Sequence, residues 1–155
     1  MISRSFFAFF FFFLSTLSSQ VVSAGTNKEG LAFLEKKKVE AGVIETESGL
    51  LYKEIRAGTG ESPALNSPCS CHYSGTLIDG TEFDSSYKRG QPLTFAPNQV
   101  IKGWTEALQL MNAGSKWELY IKSEIGYGDR GAGAVIPGGA VLVFELELLE
   151  ILPIQ

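Results

Sequence analysis

The spacing of apolar residues divides this 155-residue chain into stretches of different period. Phe6 to Leu14 are an almost unbroken apolar run. In NKEGLAFLEKKKVEAG, from Asn27, Leu31, Leu34 and Val39 fall on one helical stripe and predict a short helix, weakened at its start by Gly30. Gly42 to Ser48 reads as a linker. From Gly49 the period becomes two. Leu50 to Ile55 (LLYKEI) reads as a strand, CSCHYSGTL from Cys69 as a second, and Asp79-Gly80 as a tight hairpin turn into TEFDSS. PLTF at Pro92 is a brief strand. The period then returns to 3.6 in VIKGWTEALQLMNAG. There Trp104, Ala107, Leu108 and Met111 recur at i, i+3, i+4 and i+7, and Gly114 is placed to cap the helix. KWELYIK alternates with Trp117, Leu119 and Ile121 on one face. VLVFELELLEIL alternates with Leu142, Phe144, Leu146 and Leu148 on one face and Val143, Glu145 and Glu147 on the other. Strands around one internal helix, without a βαβ repeat, predict an α+β fold: a curved antiparallel sheet wrapped over one short helix, preceded by a short N-terminal helix.

The first apolar run is shorter than the roughly 20 residues of a membrane span. It comes after Arg4, and the small and polar residues that follow it end in Val22-Ser23-Ala24, the small-x-small pattern of a cleaved secretory leader over residues 1–24; the alternative is an uncleaved anchor. Residues 25–47 then form a helical extension and 48–155 the main domain. Removing Arg4 with the leader leaves 12 basic and 17 acidic side chains, a net charge of about −5. No basic patch invites nucleic acid, and Lys36-Lys37-Lys38, flanked by Glu35 and Glu40, reads as a solvated helix face. Cys69 and Cys71 would share a strand face about 6–7 Å apart, at the limit of disulfide geometry. They read as small buried hydrophobes rather than a bridge, and with His72 they are a poor zinc set. No metal or cofactor is expected.

GYGDRG, from Gly126, matches the dinucleotide pattern G-x-G-x-x-G. The chain continues after it as AGAVIPGGAVLVF, with Pro137 and a strand, so no helix N-terminus is offered to a phosphate. The glycines read as a loop folding back on the sheet. His72 is the single histidine, and it faces away from Cys69, Cys71 and Tyr73 on its strand, so a nucleophilic triad would need a distant serine. No carboxylate pair carries a motif for glycoside chemistry. There remains an aromatic set from separate elements, Tyr73, Phe83, Phe95, Trp104, Tyr127 and Phe144, with Asp84 beside it. Its bland reading is core.

HYSGTLIDGTEFDSS, VIKGWTEAL, GYG and VLVFELELL, in this order and spacing, resemble the FKBP-type peptidyl-prolyl isomerases, the immunophilins that bind tacrolimus and rapamycin. SGLLYKEIRAGTGE, IKGWTEALQLMNAGSKWELYI and the leader are similar to the exported macrophage infectivity potentiator (Mip) subgroup. The resemblance implies an FKBP-like fold and an X-Pro isomerase acting on proline-containing polypeptides. It places Trp104 at the floor of an apolar pocket, with Tyr73, Phe83, Phe95, Val100, Ile101 and Phe144 as walls and Ile136 in a flanking loop. It implies catalytic roles for Asp84 at the rim and for Tyr127, whose hydroxyl would face the ligand carbonyl. Leu93 stands where the family has a wall phenylalanine and Ala132 near a frequent histidine, changes that bear on affinity and sequence preference. The subgroup implies a role in folding or host-cell invasion. Its longer helical dimerisation region is cut here to one short helix, which favours a monomer without stable membrane insertion. The rival reading is a proline-binding chaperone or interaction module with incidental catalysis.

Overall fold

A computed structural model describes residues 25–154; the leader expected over 1–24 lies outside the described residues. Helix α1 (Lys28–Lys38) leads into strands β1 (Val43–Glu45), β2 (Leu51–Arg56), β3 (Cys69–Leu77) and β4 (Glu82–Ser85). A one-turn helix α2 (Ser86–Arg89), strand β5 (Leu93–Phe95), helix α3 (Lys102–Leu110) and strands β6 (Lys116–Ile121) and β7 (Leu142–Ile151) complete the order. All pairings are antiparallel, in the order β1-β2-β6-β7-β3-β4, with β5 also on β3.

The alternation read from the sequence sorts the sheet into two faces. Leu119, Ile121, Leu142, Phe144, Leu146 and Leu148 point to the face that holds α3, and its stripe of Trp104, Ala107, Leu108 and Met111 is buried against them. The residues between them point outward: Leu51, Tyr120 and Val143 are cross-strand neighbours, and with Val141 they form a second core under α1. Phe33 of α1 meets Tyr120 edge-on at 6.0 Å.

Several local expectations are corrected. Leu31 and Val39 are 52% and 84% exposed; α1 buries Leu34 with Phe33 beside it, because the helix meets the sheet through its Gly30 face. Gly30 is itself buried, and a Cβ there would stand 2.6 Å from Val141 Cγ2, so it permits contact rather than weakening the helix. Val43–Glu45, expected within a linker, pairs with β2 as an edge strand. Helix α3 ends at Leu110, four residues before Gly114, which instead turns the chain into β6 with φ +93° and donates its N–H to Leu148 O at 2.7 Å. Helix α2 was not anticipated; Ser85 caps its start through the Lys88 N–H and Gly90 ends it at φ +75°. Among the described residues no helix is long and apolar enough to cross a membrane.

Candidate active site

Between α3 and the sheet edge lies a cavity of about 480 Å³ lined by Tyr73, Phe83, Asp84, Leu93, Phe95, Gln99, Val100, Ile101, Trp104, Tyr127 and Phe144. Trp104, in the first turn of α3, is 5% exposed and forms the floor. Its ring centroid lies 5.0 Å from those of Tyr73 and Phe144, both near perpendicular, and 5.3 Å from Phe95. Among the described residues its Nε1 has no hydrogen-bond partner. Phe83 meets Phe144 edge-on at 5.5 Å. That pair closes over Gly75 of β3, where a Cβ would come within 2.6 Å of both rings.

The polar side of the cavity is an ion-pair network. Asp84 Oδ2 accepts from the Tyr73 hydroxyl at 2.5 Å, and Asp84 Oδ1 pairs with the Arg89 guanidinium. Arg89 Nη2 also donates to Tyr73 Oη at 2.8 Å. Desolvation pushes the Asp84 carboxyl up, but hydrogen bonds from Tyr73 and Arg89 and the guanidinium charge outweigh it and hold its pKa below the ordinary value. Burial and the neighbouring carboxylate raise the Tyr73 phenol, so it stays a donor at neutral pH. Tyr127, 39% exposed, lines the cavity from the loop between β6 and β7.

Of the expected site residues, Asp84, Tyr127, Tyr73, Phe83, Leu93, Phe95, Val100, Ile101, Trp104 and Phe144 come together around this cavity. Ile136 does not line it; it is 7% exposed, part of the larger core cluster within the loop between β6 and β7, and bridged through its backbone to Ala132. Gln99 and Arg89 were missed. Gln99 was readable only as the residue before Val100; here its side chain accepts from Ala96 N at 2.9 Å. Arg89 was hidden by the unrecognised α2, although Ser85 and Gly90 bracket a helical turn.

The serine that a triad would need is present but unsuited. His72 Nδ1 lies 2.8 Å from Ser86 Oγ, and its ring stacks on Tyr87 at 4.6 Å on the outer side of β3. Ser86 is fully buried; its hydroxyl accepts from Tyr73 N at 2.7 Å and donates to Tyr73 O at 3.2 Å, so it staples α2 to β3. Cys69 and Cys71 are free and buried, and desolvation drives both thiols up and away from nucleophilic thiolate. Among the described residues no three histidine, cysteine or acidic side chains converge as metal ligands. The GYGDRG loop runs into an Ala132–Ile136 bridge, not a helix, and Gly128 and Gly131 take left-handed backbone angles.

A sheet curled over α3, with an aromatic cavity between them, is the architecture of an FKBP-like domain. A family model described as "FKBP-type peptidyl-prolyl cis-trans isomerase" matches residues 60–149, and one for the "domain amino terminal to FKBP-type peptidyl-prolyl isomerase" matches 15–53. The chain belongs to the FKBP-type peptidyl-prolyl cis-trans isomerase family. It is 56% identical over 124 residues to the FKBP-type 22 kDa peptidyl-prolyl cis-trans isomerase of Escherichia coli, covering 80% of this chain and 60% of that one. It is 47% identical over 123 residues to the outer membrane protein MIP of Legionella longbeachae, covering 79% and 53%. The crystal structure of a peptidyl-prolyl cis-trans isomerase from Pseudomonas syringae superimposes with a TM-score of 0.75 at 42% identity, covering 80% of this chain and 91% of that one. The chain thus spans little more than half the length of these two curated relatives.

Proposed function

We propose that this protein is an exported peptidyl-prolyl cis-trans isomerase that turns X-Pro bonds in polypeptides. The observation that carries the reading is the aromatic cavity floored by Trp104, roomy enough to admit a proline ring with its flanking amide and bounded on one side by the Asp84–Arg89–Tyr73 network. An X-Pro bond rotates slowly because amide resonance holds it planar, with a barrier of about 18–20 kcal/mol. Rotation needs no nucleophile. The planar amide places partial charge on its carbonyl oxygen, which water stabilises. A ring seated on Trp104, against Phe95 and Phe144, brings that amide out of water and disfavours the planar form. The twisted amide is then held by differential binding: Tyr127 donates to the carbonyl oxygen from the cavity mouth. Asp84, fixed by two donors, sets the field at the rim. The rim position of Leu93, 46% exposed, bears on which residue is accepted beside proline.

The leader pattern before Gly25 supports export, as does the name of the outer membrane relative. In that setting the isomerase serves folding of exported proteins; the Mip likeness supports host contact as its place of action. Tacrolimus and rapamycin, the ligands that the family resemblance implies, are the matching inhibitors, and the protein acts as a monomer. A protease-coupled proline-peptide assay with and without rapamycin tests the reading. Acceleration of the cis/trans rate, abolished by rapamycin, is expected. Saturable peptide binding without acceleration would make it an interaction module instead. A dimer in sedimentation would overturn the monomer.

A further inference from the structure

Ahead of α1, three consecutive residues are stitched to the segment that carries Tyr127. Gly25 N donates to Asp129 Oδ1 at 2.6 Å. Thr26, 6% exposed, donates from its backbone to Glu124 Oε1 at 3.2 Å and from its hydroxyl to Glu124 Oε2 at 2.6 Å, and its Oγ1 accepts from Ser123 N at 3.0 Å. Asn27 N donates to Gly139 O at 2.8 Å. The ties fall at the start, the middle and the end of segment 123–139, and Tyr127 sits between the first two. Gly25 has φ +116°, and a Cβ on it would stand 2.7 Å from Glu124 Oε1, so the geometry is built for glycine.

The surroundings of the Gly25 nitrogen suit an ammonium better than a peptide amide. The Asp129 carboxylate accepts from this nitrogen, the Glu124 carboxylate accepts from the next residue and stands on the Cβ side of Gly25, and among the described residues neither has a lysine or arginine within ion-pair distance. An open hollow of about 360 Å³, lined by Gly25, Ser123, Glu124, Gly128 and Asp129, lies alongside. The other charged groups on the elements that meet here are Lys122 and Arg130, next to the two acids in the chain, and Lys28 and Glu29 in the first turn of α1. A peptide N–H offers one donor and no charge. Hydrolysis of the Ala24–Gly25 bond consumes one water, leaves a carboxylate on Ala24, and gives Gly25 an amine that is protonated at neutral pH.

We propose that the free α-amino group of Gly25 is a positioning group for the cavity: as an ammonium it pairs with Asp129 beside Glu124 and fixes the loop that carries Tyr127 into the cavity lining, so removal of the leader completes the site. The idea rests on the reading of residues 1–24 as a cleaved leader and adds what cleavage does to the cavity. Charge-assisted bonds are about twice as strong as neutral ones, and the ties made by Thr26 and Asn27 persist in either case. Loss of the charge therefore loosens the loop without unfolding the chain.

Residues 25–154 contain both cores and every strand of the sheet, so chains beginning at Gly25 keep the whole fold. Two such chains, one with a free amine and one N-acetylated, are compared in the native background and in Asp129→Asn. Acetylation is expected to speed amide exchange across 126–139 and to raise KM, each on the order of 3-fold, with little change in kcat. The advantage of the free amine should fade as pH rises past the amine's titration, ordinarily about 8. It should be absent in Asp129→Asn. The N-terminal mass of the exported protein is read separately. An uncleaved N-terminus overturns both the leader reading and the proposal, whereas a cleaved start at a residue other than Gly25 overturns the proposal alone. A start at Gly25, with acetylated and free chains alike in loop exchange and KM, overturns the proposal and leaves the leader reading standing. So does a difference that persists in Asp129→Asn.

Discussion

Replacing Trp104 with alanine takes the largest ring from the cavity floor. Three aromatic neighbours, two edge-on and one tilted, lose their ring contacts at once. A loss of about 3–5 kcal/mol in unfolding free energy is expected by denaturant titration, with isomerase activity and macrolide binding falling together. Asp84→Leu should behave differently. The side chain is 41% exposed and its partner Arg89 47%, so an unpaired guanidinium remains in water and the fold should melt close to wild type. The isomerisation rate should nevertheless fall, because the Tyr73 hydroxyl loses its acceptor and the rim its charge. A rate equal to wild type in a folded Asp84→Leu would make Asp84 a strand-end residue only. Tyr127→Phe removes one hydroxyl and keeps the ring, so its effect on rate should be milder. The direction of the Asp84 shift also fixes a pH profile. Its native pKa lies below the unfolded value of about 4. The stabilisation is therefore complete above that unfolded value and drains away as pH falls through the lower native one. Acid titration of the melting temperature should show this limb in wild type and a shallower one in Asp84→Leu.

At the scale of elements, α1 and α3 make a natural contrast. Gly30→Ala would set a methyl group 2.6 Å from Val141 Cγ2 and lift α1 from the sheet. Overpacking of this kind costs about 1–3 kcal/mol, read as a drop in melting temperature, while the cavity on the opposite face should keep its kcat. The spacing of α3 was legible because one face of it is wholly buried, so burial and period agree at Trp104, Ala107, Leu108 and Met111. In α1 only a narrow strip touches the sheet, so of the expected stripe Leu34 is buried while Leu31 and Val39 stand in solvent. The alternation in β6 and β7 assigned both faces correctly. Helix α2 was not legible from period, since four residues carry none; its caps, Ser85 and Gly90, were the available signal. The aromatic site residues could be assembled only through the family resemblance, because they come from five separate elements and the loop between β6 and β7. Arg89 has no apolar signature at all, and its part in the site depends on the turn of α2 that aims it at Asp84.

For the molecule as a whole, the sheet is a wall shared by two cores, and Cys69 and Cys71 sit in the larger one with no exposed surface. Mass spectrometry of the unreduced protein should find both as free thiols. Alkylation of the native protein should be slow, label both together and track global unfolding, since burial disfavours each thiolate. A quantitative Cys69–Cys71 bridge would contradict the strand geometry.

The outer row of Leu51, Tyr120 and Val143 has a practical bearing on how this protein can be cut. The stretch 60–149 that carries the family match begins after β2 and omits α1. Trimmed to it, the sheet would lose its β1 and β2 strands, present the bare hydrogen-bonding edge of β6, and turn Tyr120, Val141 and Val143 to water. An open edge beside an apolar patch is a template for association between chains. Such a fragment should scatter light and enter inclusion bodies, whereas one beginning at Gly25 should stay dispersed in light-scattering measurements at the same concentration. The helix on the far side from the cavity is thus a solubility element, and libraries or crystallisation trials aimed at the cavity should retain it.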